Sequence, residues 1–153
     1  MGRIAAGIAA LVVLSAGALW WVSTLEPAET LEFSNPRIRL VPGGGPMAAY
    51  FEIANHGDAR VRVTGARSDA FGRVMIHRSV VEDGQARMRH QDGGVAIVPG
   101  QRVAFAPGGL HLMLMRPQKA LNVGDSVEIV LELDGIVPTE WPLDFIVVPI
   151  TSP

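Results

Sequence analysis

The 153-residue chain is predicted to fold as an all-β protein, an antiparallel sandwich or barrel behind a hydrophobic N-terminal helix. Three observations carry this. Short runs of alternating apolar and polar residues dominate beyond residue 30, the signature of half-buried strands. Gly and Pro punctuate those runs every 8–12 residues, as they do in sandwiches. No segment beyond residue 30 sustains a helical period. With 48% apolar and 18% charged residues the chain can bury a core, which excludes wholesale disorder.

Ile4 to Val22 is a run of 19 uncharged residues behind Arg3. It is long for a secretory core of about 7–15 residues and close to the roughly 20 that span a bilayer. Residues 1–25 are therefore expected to be a signal peptide or an uncleaved anchor, with Trp20 and Trp21 at the outer interface. Both readings export the remainder of the chain from the cytoplasm. Residues 26–30 read as a short tether and 31–153 as one domain.

Within that domain, Gly43-Gly44-Gly45-Pro46 reads as a turn. Ala49, Phe51 and Ile53 then mark a strand ended by Asn55-His56-Gly57. Val61 and Val63 alternate with Arg60 and Arg62. Asp83-Gly84 is a type I′ hairpin signal, because both central residues of that turn need positive φ. Val127, Ile129, Leu131 and Leu133 alternate with acidic residues, and Phe145 to Ile150 is a compact apolar run able to close a sheet.

Charge and composition exclude several functions. Thirteen basic against 15 acidic side chains leave no surplus to neutralise a phosphate backbone, so no nucleic-acid partner is expected. Cysteine is absent, which removes disulfides, thiolate zinc sites, iron–sulfur clusters, cysteine nucleophiles and blue-copper electron transfer. No G-x-S-x-G, H-E-x-x-H or P-loop motif occurs, and no enzymatic activity is expected.

What remains is methionine and histidine. Met75, Met88, Met113 and Met115 fall in one window with His77, His90 and His111. In a strand, Leu110, Leu112 and Leu114 share one face, and His111, Met113 and Met115 share the other. Methionine used as core filler would sit on the leucine face. A two-residue turn at Asp83-Gly84 pairs Glu82 with Gln85, Ser79 with Met88 and His77 with His90. His77 and Met88 then become diagonal neighbours, roughly 7–8 Å apart at the backbone. Thioether selects Cu(I), whereas imidazole suits copper in either state, so Cu(I) is the preferred ion and Cu(II) a second one. Without carboxylates the set suits neither Ca²⁺ nor Mg²⁺, and zinc would want other donors than methionine. The competing reading is an envelope sandwich that binds a protein partner without metal, which predicts a scattered His/Met set.

The chain resembles the periplasmic copper chaperones of the PCu(A)C type. Ten residues separate His77 from Met88, and 22 more lead to His111-Leu112-Met113. Val98-Pro99-Gly100, Ala106-Pro107-Gly108-Gly109-Leu110 and Val123-Gly124-Asp125 flank these in the family's manner. The resemblance covers roughly residues 31–150. It implies a cupredoxin-like β-sandwich of Greek-key barrel type and Cu(I) ligation by His77, Met88, His111 and Met113. It further implies delivery to the subunit of cytochrome c oxidase that carries CuA, alongside a thiol-containing copper chaperone. His90 departs from the family, which commonly has proline there, and is a candidate extra nitrogen donor. Met75 and Met115 are spare thioethers.

Overall fold

Period-two alternation sets the architecture. The computed structural model describes residues 30–152, and every regular element among them is a strand. These are β1 (Leu31–Leu40), β2 (Met47–Asn55), β3 (Val61–Arg67), β4 (Phe71–Glu82), β5 (Gln85–His90), β6 (Val95–Ile97), β7 (Arg102–Phe105), β8 (Leu110–Pro117), β9 (Ser126–Asp134) and β10 (Glu140–Pro149). They hydrogen-bond in the order β5-β4-β8-β7-β2-β1-β10-β9-β3-β6, with β8 also pairing β2 directly. The expected N-terminal helix, and all but the last residue of the tether, lie outside the described residues.

Antiparallel pairing prevails, with two departures. β1 and β10 run parallel, from Arg37↔Ile146 to Leu40↔Pro149, and β7 meets β8 in parallel at Phe105↔Leu110. β1 and β10 are the first and last strands, so no tight hairpin dictates their direction. Through that junction β10 links β1 to β9, as the apolar run at its end anticipates. The run itself alternates: Phe145 and Val147 are buried, while Ile146 and Ile150 are exposed.

β9 shows why the strands form. Val127, Ile129, Leu131 and Leu133 are buried while Glu128 and Asp134 face solvent. The same logic buries Leu110, Leu112 and Leu114 of β8 on the core side. Phe51 anchors the interior, stacked on Phe105 at 4.3 Å and edge-on to Phe145 at 5.9 Å. One apolar cluster draws residues from nine strands. Asn55 is fully buried at the end of β2, and its amide is satisfied. Its Nδ2 donates to the carbonyls of Ala59 (2.8 Å) and Ile97 (3.0 Å), and its Oδ1 accepts from the Gly57 N–H (3.0 Å). That network ties the strand end to β6 and gives a buried polar group its partners.

The β4–β5 hairpin has the expected register, Glu82↔Gln85, Ser79↔Met88 and His77↔His90. Asp83 (φ 52°) and Gly84 (φ 74°) occupy the two left-handed positions that a type I′ turn requires. β4 in turn pairs β8 with His77 opposite His111 and Met75 opposite Met113. Three strands, β5, β4 and β8, thus carry all the singled-out histidines and methionines in that window.

Candidate metal centre

The outward face of these three strands is built by alternation. On β4 it shows Met75, His77 and Ser79; on β5, Met88 and His90; on β8, His111, Met113 and Met115. His90, His77 and His111 form a row across the sheet, with ring centres 5.4 Å and 5.9 Å apart. Met113 stands two residues beyond His111, and Met88 one diagonal step from His77. The four residues expected to bind copper, His77, Met88, His111 and Met113, therefore share one side of one sheet. Met88, Ser79, His111 and Met113 line a single open cavity of about 480 Å³. His77 joins it through its ring contact with His111.

Exposure is graded across the set. His111 is only 3% exposed, His77 and Met113 are half-buried, and Met88 is 61% exposed at the rim. An exposed methionine in an edge strand costs apolar surface in water, which core filling would avoid. The four donors thus run from a buried imidazole to a solvent-facing thioether.

A hydrogen bond fixes the tautomer of His111. His111 Nδ1 lies 3.2 Å from the Gly109 carbonyl, which can only accept, so Nδ1 carries the proton. Nε2 then presents a lone pair, and it is buried with no partner. His77 Nδ1 is likewise buried and unpartnered. A buried polar atom without a partner is costly. Two of them on one face, beside two thioethers, are placed as nitrogen donors to a metal ion would be. The donor set fits a soft monovalent cation: neutral nitrogens, neutral sulfurs, and no Asp or Glu among the residues lining the cavity.

The electrostatic surroundings point the same way. Tyr50 packs against His111 with ring centres 6.5 Å apart. The guanidinium groups of Arg39 and Arg37 lie 5.3 Å and 5.6 Å from the Tyr50 ring centre. Positive charge repels a divalent cation twice as strongly as a monovalent one. Sequence reasoning did not single out Arg39 and Tyr50. Nothing local marks them, because the β1–β2 register, Arg37↔Tyr50 and Arg39↔Ala48, places them beside the cavity. Among the described residues no three His, Cys, Asp or Glu side chains are grouped so that they could hold a metal ion without the thioethers.

Burial holds His77 below the ordinary imidazole range, helped by repulsion from His111, His90 and Arg73. Its ring therefore stays neutral, and able to ligate, somewhat below the usual pKa of about 6.5. Loading with Cu(I) should weaken as pH falls, because protons compete for the same lone pairs. For His77 the fall should begin below pH ~6.5 rather than at it. A competition titration across pH checks this, and a curve flat down to pH ~4 would contradict imidazole ligation. The same depression makes His77's contribution to apo stability complete above the unfolded pKa and lost as pH falls through the folded one.

Of the remaining histidines and methionines, Met75 and Met115 lie half-buried on the shared face, and Met47 is buried in the core. His56 lies away from the site, its Nε2 paired with Glu32 at 2.9 Å.

A family model described as "Putative lipoprotein LpqE-like" matches residues 31–140. The chain belongs to this family. Its curated relatives include "Putative lipoprotein Lxx21020" of Leifsonia xyli subsp. xyli, 33% identical over 94 residues. That match covers 61% of this chain and 57% of the relative. The "Uncharacterized protein RP573" of Rickettsia prowazekii is 28% identical over 102 residues, covering 67% of this chain and 56% of that protein. The chain thus spans little more than half the length of these relatives. Although two of these descriptions say lipoprotein, the 153 residues contain no cysteine to acylate.

Solved structures supply the fold. The copper-bound PCuAC domain from PmoF2 is 25% identical, with a TM-score of 0.64 over 78% of this chain and 93% of that domain. The solution structure of CuI-DR1885 from Deinococcus radiodurans is 22% identical, with a TM-score of 0.61 over 86% and 85% of the two chains. The all-β architecture is that of the PCuAC domains, as the resemblance implied.

Proposed function

We propose that this chain is an extracytoplasmic copper chaperone that carries Cu(I) on His77, Met88, His111 and Met113. The observation that carries the reading is the pair of buried, unpartnered imidazole nitrogens, His77 Nδ1 and His111 Nε2, on the face that also bears Met88 and Met113. Support comes from the likeness to a domain described as copper-bound and to one described as holding CuI. The protein has no catalytic role in this reading; copper is its cargo.

The exposure gradient supplies a route for hand-over. An acceptor's ligand can displace the exposed Met88 thioether first while His111 and His77 still hold the ion. Exchange then proceeds one ligand at a time, without a bare cation. The acceptor is the CuA centre of cytochrome c oxidase, and a thiol-containing chaperone works beside the protein. Copper arrives as Cu(I), with Cu(II) as the weaker-bound form. In this reading the apolar run of residues 4–22 exports the domain, which works in the periplasm or cell envelope, either anchored to the inner membrane or released from it.

Competition for Cu(I) against a chelator under reducing conditions tests the reading. Wild type should take up one equivalent, and Met113→Ala should bind at least tenfold more weakly, the loss typical even of a group that only supports a ligand. Equal affinity in both would end the case for this ligand set. It would leave the protein-interaction module as the better account.

A further inference from the structure

His77 belongs to two imidazole pairs, and the proposed Cu(I) set uses only one of them. Its ring centre is 5.9 Å from that of His111 and 5.4 Å from that of His90. Imidazole–metal bonds are about 2 Å long, so ring centres up to roughly 6 Å apart can share one ion. Both pairs satisfy that condition. We propose that His77 and His90 form a second, outer copper position, selective for Cu(II), that shares His77 with the inner Cu(I) site and excludes simultaneous occupation. The proposal rests on the Cu(I) reading only for the role of His77 as the shared ligand.

Three observations separate the outer position from the inner one. The first is how the rings are oriented. Asp92 Oδ1 lies 3.3 Å from His90 Nε2 as an ion-pair contact, and its negative charge favours the proton on that nitrogen, leaving Nδ1 as the donor atom. The Gly109 carbonyl does the same for His111 on the other side, with the nitrogens exchanged. Each outer member of the row thus has an oxygen beside one ring nitrogen, a hydrogen bond at His111 and an ion-pair contact at His90, and the central ring keeps a buried Nδ1 with neither.

The second is charge. Arg39 lines the inner cavity, which no carboxylate lines. His90 opens instead into a neighbouring cavity of about 270 Å³ whose lining includes Asp92 and Glu132, with Arg73 as its one cation. The two carboxylates outnumber that cation, which suits a divalent ion better than the inner site does.

The third is donor hardness and access. The His90 side chain is 45% exposed on an edge strand, so water can complete the coordination. Two nitrogens with oxygen donors suit the tetragonal preference of Cu(II). Met75 lines the same cavity and sits diagonal to His90, where a thioether can act as a weak axial ligand. The copper face therefore sorts oxidation states by position: soft, buried and cation-flanked inside; hard, wet and carboxylate-flanked outside.

The experiment adds one equivalent of Cu(II) to the metal-free full chain and counts bound nitrogens by pulsed electron paramagnetic resonance. Wild type should show two imidazole nitrogens. His90→Ala should show one and bind Cu(II) roughly tenfold more weakly or worse, while its Cu(I) affinity stays at the wild-type value. Met113→Ala should do the reverse, losing Cu(I) affinity and keeping the two-nitrogen Cu(II) spectrum. Prior saturation with Cu(I) should block Cu(II) uptake. An unchanged Cu(II) spectrum in His90→Ala overturns the outer position. Equal loss of Cu(I) and Cu(II) affinity in that variant also overturns it, since the two ions would then share one site. Unchanged Cu(I) affinity in Met113→Ala, with the His90 result intact, would overturn the inner ligand set alone.

Discussion

His111→Ala is expected to lower Cu(I) affinity by more than the roughly 10–100-fold that loss of a ligand's supporting partner costs. The residue is the deepest of the four proposed ligands, 3% exposed, and its tautomer is held by the Gly109 carbonyl. Its Nε2 is presented without rearrangement, so the ion gains a ligand whose orientation is already restricted. Alanine removes the nitrogen and also the ring that packs against His77 and Tyr50. The apo fold should survive, because Leu110, Leu112 and Leu114 carry the core side of β8 and remain untouched. Chelator competition measures the affinity, and the thermal midpoint of the apo-protein reports the fold. A folded variant with wild-type Cu(I) affinity would place the metal elsewhere.

The largest effect on stability is expected from Phe51→Ala, a loss of about 3–5 kcal/mol. Phe51 is fully buried in β2, stacked on Phe105 and edge-on to Phe145. It therefore joins β2 to its neighbour β7 and to β10 across the core. Removing the ring forfeits its burial and leaves a cavity that the surrounding β-structure cannot close. Domains of this size have about 5–15 kcal/mol in total, so the variant should be marginal. Urea unfolding monitored at equilibrium gives the difference directly. A loss below ~1 kcal/mol would mean that the core collapses around the gap, contrary to the packing described.

How far the sequence reveals this molecule depends on the range of the interaction. The β4–β5 hairpin is legible because Asp83-Gly84 is itself the device that sets the register, and the pairing of Ser79 with Met88 follows from it. The face of residues 110–115 is legible because leucines alternate with the His and Met donors. That β8 lies beside β4, with His77 opposite His111, is different. Nothing local encodes a pairing across more than thirty residues, and only the family spacing of the motif hints at it. The strands β6 and β7 are three and four residues long, too short for a period to show. β1 is obscured by a bulge between Ser34 and Arg37, where Asn35 takes a φ of 54° and breaks the alternation. The cations above Tyr50 depend on that same strand, which is why the charge of the site could not be read from the sequence.

X-ray absorption at the copper edge on the Cu(I)-loaded full chain reads the ligand set itself. Two nitrogen and two sulfur donors bound directly to the ion, with one sulfur lost in Met88→Ala and one in Met113→Ala, are the expected result. Coordination by nitrogen and oxygen alone, or a sulfur count that neither substitution changes, would contradict it.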